Sequence, residues 1–256
     1  MKYKISSTLL VLALVLIMGT VAAADEQGYN GTSQVANKAP TENTIENTTG
    51  DNTTKPTGLV IDQQQFQRRV SDGSVQLESY KVREKLVAGV YEDNAFNQYE
   101  AVTIQDKTYK FWRGVENTVD DIVVVSSVET ENSATAYIRT VFAFPVFSDG
   151  ETHLHLNFYK PELLEKVEGI AEVEGKQYQL YVYNYDTPLA PGQTTEPSLL
   201  EYVFDKDVTT EMFDELGGAY QVLITSQAIQ ESGFTTFASA FNSAFSNVTA
   251  NNHPWN

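Results

Sequence analysis

Short apolar runs separated by polar turns fill the chain from about residue 58 to residue 230. Runs of about four to eight residues rich in β-branched and aromatic side chains are typical of β-strands. On this pattern strands are predicted over 59–61, 75–82, 85–91, 99–112, 122–128, 136–144, 154–159, 177–185, 199–204 and 219–229. The pattern therefore predicts an all-β protein.

Two of these runs, 122–128 and 136–144, flank a short polar turn and predict a β-hairpin. Side chains alternate along a strand, and both faces of the second run are largely apolar. We therefore expect that strand to be central in its sheet and covered on both sides. Arg139 interrupts the run, and a buried arginine needs a partner, so a structural ion pair with one of the many acidic residues is expected.

Helical signals are short. Pro161 suits the first position of a helix over 161–167, and Thr209 or Thr210 could cap a helix that ends at the glycine pair 217–218. The clearest helix is C-terminal, where a core-facing stripe recurs at helical spacing: Phe237, Ala240, Phe241, Ala244, Phe245 and Val248. The predicted fold is an antiparallel β-sandwich over 58–256 with a few short peripheral helices and a C-terminal helix.

The first 57 residues have a different composition. Residues 1–24 combine a basic start, an apolar run over Leu9 to Met18 and three alanines, which predicts a secretory signal peptide; a retained N-terminal anchor is the alternative. Residues 25–57 are rich in Asn and Thr and predict a disordered linker. The candidate glycosylation sites, in Asn-x-Thr triplets, are Asn30, Asn47, Asn52 and Asn247.

The chain is acidic, with a formal net charge of −17 at pH 7 and no cysteine. Such a surface repels nucleic acid and anionic lipid, so neither is expected as a partner. No segment after the signal peptide is apolar enough to cross a membrane, so we expect a secreted protein with no membrane partner once the signal is removed. Stability must come from an ordinary core, because disulfides are excluded.

Candidate chemistry is sparse. His153 and His155 could share a metal from one side of a strand, with Glu151 or a distant residue as third ligand, but exposed strand histidines are the expected interpretation. Acidic residues over 205–211 alternate like a calcium loop without its glycine, and a helix-capping cluster is expected. We find no nucleophile or phosphate-loop motif and predict no catalytic residue, cofactor or resident metal.

Two motifs resemble a known family. The stretches VDDIVVV (119–125) and AYIRT (136–140) are similar to the hallmark of the TasA/camelysin-like, SipW-dependent secreted proteins of Gram-positive bacteria, which have relatives in archaeal bundling pili. TSQAIQESGF (225–234), followed by an Ala/Phe helix and a terminal His-Pro-Trp, resembles the second motif of that group. The resemblance covers about residue 85 to the end. The turn after residue 128 departs from the family pattern.

The resemblance implies a jelly-roll-like sandwich that polymerises into extracellular fibres of a biofilm matrix. In such fibres an N-terminal segment of one subunit completes the sheet of the next. The expected partners are further copies of the chain, head to tail, and other matrix components. The predicted donor strand is 58–70, in which Leu59, Ile61 and Phe66 would fill a groove. The alternatives are a camelysin-like surface metallopeptidase, implied by the family name alone, and a monomeric surface or sugar-binding module.

Overall fold

A computed structural model describes residues 31–36, 61–71, 74–79, 88–104, 107–116, 118–119, 123–128, 134–218 and 220–256. These residues form mainly antiparallel β-sheet with a few short helices, as expected for an all-β protein. The predicted signal peptide, most of the predicted linker, Leu59, Asn30, Asn47 and Asn52 lie outside the described residues. No helix in the described ranges is long and apolar enough to cross a membrane.

The strands in the described ranges are β1 (Gly31–Ala36), β2 (Ile61–Ser71), β3 (Ser74–Ser79), β4 (Tyr99–Ile104), β5 (Lys107–Trp112), β6 (Thr118–Val119), β7 (Val123–Val128), β8 (Ala136–Pro145), β9 (Leu154–Phe158), β10 (Leu164–Val173), β11 (Lys176–Asn184), β12 (Leu199–Phe204) and β13 (Leu223–Gln230). The helices are α1 (Thr210–Glu215) and α2 (Phe237–Ala244), with 3-10 turns at Ala95–Asn97 and Pro161–Leu163. The sheet orders are β1-β13-β8-β11-β10, β6-β12-β9, β3-β2-β7 and β4-β5.

Strand β8 is the centre of the five-stranded sheet, as its two apolar faces predict. All ten of its residues are buried, and it pairs with β11 on one edge and β13 on the other. The predicted hairpin with 122–128 is wrong, because β7 pairs with β2 in a different sheet. Local apolar pattern marks a buried strand, whereas long-range packing chooses its neighbours.

One face of this sheet meets the β6-β12-β9 sheet across an aromatic core. Phe142 of β8 packs edge-to-face on Phe158 of β9, and Phe144 packs in the same way on Tyr202 of β12. These rings are almost completely buried, together with Phe204 and Tyr183. Aromatic side chains of this size contribute much of the apolar area that a domain buries. The two sheets are therefore held face to face by their aromatic residues.

The opposite face is covered by C-terminal segments. Val141 and Ala143 of β8 belong to a cluster against which Val248 and Trp255 pack. Helix α2 lies on Tyr137 and Ile229, with Ala240 and Phe241 fully buried, so its predicted apolar stripe is confirmed up to Phe245. The helix itself ends at Ala244, before Val248.

The two other predicted helices have different outcomes. Thr209 caps α1, since the Met212 amide donates to its hydroxyl at 3.4 Å, and the chain leaves the helix at Gly217 with φ +85°. The helix over 161–167 is wrong: Pro161 starts a single 3-10 turn, and the chain then enters β10. Pairing of Leu164–Val173 with β11 satisfies backbone groups that a helix would have satisfied internally.

We predict that Phe142→Ala lowers the free energy of unfolding by about 3–5 kcal/mol, because it leaves a cavity in the aromatic core. Urea unfolding followed by circular dichroism measures this change. Ile170→Ala is the control: Ile170 is 38 % exposed on β10, and its truncation should change stability by less than about 1 kcal/mol. Equal losses of unfolding free energy in Phe142→Ala and Ile170→Ala would contradict the assignment of Phe142 to the aromatic core.

Candidate functional site

The two edges of the five-stranded sheet differ in character. At one edge, β10 exposes Glu165, Lys166, Glu168 and Glu172, and its ladder is irregular beside Gly169, which has φ +82°. Charges and bulges of this kind discourage the addition of another strand. Toward the other edge, β13 is the strand next to the last, and it is buried at every position except Gln230, which is half-buried. Of these two strands, only β13 is buried along almost its whole length.

Strand β1 covers that edge. It runs parallel to β13, with Gly31 opposite Ile224 and Ala36 opposite Ile229. The remaining strand pairs of the described residues are antiparallel. The expectation of disorder over 25–57 thus differs from the structure at these six residues. Strand addition depends on backbone hydrogen bonds, so a polar sequence such as GTSQVA can supply it, and composition alone gives little signal.

The described part of the predicted donor segment, residues 61–70, belongs to the β3-β2-β7 sheet. Ile61 and Phe66 lie in β2, where 61–66 pair with β7 and 66–71 pair with β3. Both sides of this strand therefore take part in a sheet of the same chain. In contrast, β1 is the last strand of its sheet and pairs with β13 alone among the described strands.

Arg139 lies next to the acceptor edge, opposite Gln227 in the register of β8 and β13. Its Nε donates to Gln227 Oε1 at 2.7 Å, one Nη donates to the Ser246 carbonyl at 3.2 Å, and its guanidinium lies 4.5 Å from the centre of the Phe241 ring. No carboxylate of the described residues lies within ion-pair distance of it, so the expected ion pair is not present in this part of the chain. Burial lowers the pKa of Arg139 to about 10, against an opposing effect of Glu165.

A cavity of ≈ 570 Å³ opens beside Arg139, between α2, β10 and the residues that follow α2. Glu165 and Glu168 also line it, so its polar groups carry both signs of charge. Asn247, the fourth glycosylation candidate, lies at this cavity and is exposed. Exposure is a condition that glycosylation of Asn247 requires.

The predicted histidine pair meets aspartates from another strand. Leu154 at the start of β9 lies opposite Phe204 at the end of β12, and the Asp205 amide donates to the His153 carbonyl at 2.9 Å. This pairing brings His153 Nδ1 to 3.5 Å from Asp205 Oδ2 and His155 Nε2 to 2.7 Å from Asp205 Oδ1. Asp205 is therefore a residue distant in sequence that meets both histidines, which sequence spacing could not reveal; His155 is not among the residues grouped closely enough to share a metal with His153.

The two imidazoles differ electrostatically. Burial opposes the charged form of His153, but the hydrogen bond to Asp149 and the charges of Asp149, Asp205 and Asp207 raise its pKa overall. Burial lowers the pKa of His155, with Asp205 acting in the opposite direction. The ring of His155 also stacks on Phe96 at 3.6 Å between centroids, which accounts for its greater desolvation.

The C-terminal His-Pro-Trp motif docks on the outer face of the sheet. His253 is buried and its ring lies 6.1 Å from the ring of Trp255. Burial lowers the pKa of His253 below its usual 6.5, and the backbone of Glu172 acts in the opposite direction. A folded-state pKa below the unfolded value means that docking is stabilised at neutral pH and loses stability as the pH falls through that range.

Comparison with protein-family models, curated proteins and solved structures found no match to this chain.

We predict that acidification from pH 7 to pH 5 loosens the C-terminal segment and increases the solvent exposure of Trp255. The measurement is Trp255 fluorescence in a Trp112→Phe background, since the chain has two tryptophans. His253→Phe should remove most of this pH response, because the substituted ring cannot be protonated. An unchanged response in His253→Phe would show that another group controls it.

Proposed function

We propose that this chain is a secreted structural subunit that polymerises head to tail into extracellular filaments by donation of a strand to the next subunit. The observation that carries the proposal is β1, a strand near the N-terminus that adds in parallel to the buried strand β13. The TasA/camelysin-like motifs at 119–140 and 225–234 support the same function. The second motif is the acceptor strand β13 with the turn that follows it.

In the proposed filament, β1 of one subunit occupies the β13 edge of its neighbour with the register that it has within one chain. Exchange of an identical element between copies needs no new interface chemistry. The chain between Ala36 and Ile61 spans at most about 90 Å when extended, which is enough to reach an adjacent subunit. A donor at one end and an acceptor edge elsewhere make a heterologous contact, which extends into open filaments rather than closed rings.

The proposal replaces 58–70 by 31–36 as the donor segment. Withdrawal of β2 would break its pairs with both β3 and β7, whereas withdrawal of β1 breaks one edge pair. We also propose that the fold is a jelly-roll-like sandwich. Its two layers would be the five-stranded sheet and the β6-β12-β9 sheet. The role is non-catalytic, and the other components of a matrix are further partners.

We predict that the double variant Thr32→Pro/Ser33→Pro prevents filament formation. Adjacent residues of a strand direct their amides to opposite sides, so two successive prolines remove a ladder hydrogen bond whichever side β13 occupies. Negative-stain electron microscopy of the purified chain without residues 1–24 measures filament number and length.

The matched control is Asn43→Pro/Thr44→Pro, which places the same two prolines in the arm but beyond β1. This variant should form filaments like the unaltered chain. Filaments of normal length from Thr32→Pro/Ser33→Pro would exclude β1 as the donor.

We predict that a cysteine pair at Ser33 and Ser226 reports which chain supplies β1. These residues face each other in the β1–β13 register, and the chain has no cysteine of its own. Oxidised filaments of Ser33→Cys/Ser226→Cys should give a ladder of covalent oligomers on non-reducing gels, since neighbouring strands lie within disulfide reach.

Each single cysteine variant is the control and should give at most a dimer. Oxidation to cross-linked monomer alone, in preparations that contain filaments, would show that β1 stays on its own chain and that another segment joins the subunits.

A further inference from the structure

We propose that His153, Asp205 and Asp207 form a binding site for a divalent transition-metal ion of the zinc class. One ligand atom from each of these residues lies within 4.8 Å of the other two. The proposal goes beyond filament formation, because it concerns a cluster at the junction of β9 and β12, with no contribution from β1 or β13. Its ligands come from the residue before β9 and from the loop after β12.

A third carboxylate, that of Asp149, binds one ring nitrogen of His153 and leaves the other nitrogen facing Asp205. His153 Nε2 lies 2.6 Å from Asp149 Oδ2, a carboxylate that is 52 % exposed. An ionised carboxylate only accepts, so Nε2 carries the hydrogen and donates. In the neutral imidazole Nδ1 is then a lone pair, directed at Asp205 Oδ2 at 3.5 Å. Two acceptors that face each other in this way are stabilised by a cation between them.

This arrangement has the form that proteins use for metal-bound histidine. A metal-ligating imidazole usually donates its other N–H to a carboxylate, which sets the tautomer and the ring orientation. Asp149 has that role toward His153. His155 has a comparable role toward Asp205, because its Nε2 lies 2.7 Å from Asp205 Oδ1 and leaves Oδ2 directed at His153.

Tyr91 completes the support around Asp205. Its hydroxyl lies 3.2 Å from His155 Nε2, donates to Asp205 Oδ1 at 3.5 Å and accepts from the Lys206 amide at 3.2 Å. The tyrosine therefore connects the imidazole, the carboxylate and the backbone between the two aspartates. A ligand set that is oriented before the ion arrives loses less conformational entropy on binding.

The donor atoms select the class of ion. One imidazole nitrogen and two carboxylates suit Zn²⁺ and its neighbours, whereas Ca²⁺ takes about six to eight oxygen ligands and Mg²⁺ retains most of its water. His153 and Asp205 are partly buried and Asp207 is exposed, so the ion can enter from solvent and water can complete its coordination. The net charge of −17 favours the approach of cations in general, so selectivity must come from the imidazole.

The test is isothermal titration of Zn²⁺ into the untagged monomeric chain without residues 1–24, after treatment with a chelator that is then removed. We expect one Zn²⁺ per chain and a rise in unfolding temperature with Zn²⁺, since an ion that binds only the folded state stabilises it. His153→Gln and Asp205→Asn should abolish detectable binding. Asp149→Asn, which alters a positioning residue, should weaken binding by about 10–100-fold.

Two controls separate the site from general effects of charge. Asp214→Asn removes an exposed carboxylate from α1, and His253→Gln removes a histidine of the C-terminal motif; both should bind Zn²⁺ like the unaltered chain. Circular dichroism checks that each variant is folded, and the exposed Asp149 and Asp207 provide variants if His153→Gln does not fold.

Three results would overturn the proposal. They are no binding of Zn²⁺ at millimolar concentration, equal binding in Asp205→Asn, and tighter binding of Ca²⁺ than of Zn²⁺. Each outcome is independent of filament formation, because the titration is made on monomers and the variants do not alter β1 or β13.

Discussion

The burial of β8 is the constraint on which the rest of the structure depends. All ten of its residues are buried, so both of its edges must be paired and both of its faces must be covered. β11 and β13 supply the edges, the aromatic core covers one face, and α2 with the C-terminal residues covers the other. This arrangement moves the outer edges of the sheet away from β8, to β10 on one side and to β13, which β1 covers, on the other. The properties of those two strands then decide where another strand can add.

Arg139 is the exception within this strand. A buried cation is costly, and among the described residues neutral acceptors and an aromatic ring stabilise it: Gln227 of β13, the Ser246 carbonyl and Phe241 of α2. The guanidinium therefore fastens three elements that cover β8 and has no ion-pair partner among the described residues. Since Gln227 belongs to β13, this polar contact also holds the acceptor strand in register with β8.

Local patterns in the sequence were sufficient for features that depend on burial and periodicity. The two apolar faces of β8, the stripe of α2 and the cap at Thr209 each follow from residues close together in the chain. Features that depend on distant partners could not be obtained in this way. β7 does not pair with β8, Pro161 precedes a strand, and His153 meets Asp205 only because β9 and β12 pair. The polar composition of β1 gave no apolar signal for a strand that is held in its sheet by backbone pairing with β13.

The same contacts of β1 would hold one chain closed or join two chains, so contact energy alone does not decide between monomer and filament. Within one chain, the connection through residues 37–60 holds β1 close to β13, and this proximity favours the closed form at low protein concentration. Exchange removes the entropy cost of closing that connection but brings together strongly acidic subunits, which repel one another. Salt and bound cations reduce that repulsion. A metal ion at Asp205 and Asp207 would act in the same direction, by neutralising carboxylates away from the strand that is exchanged.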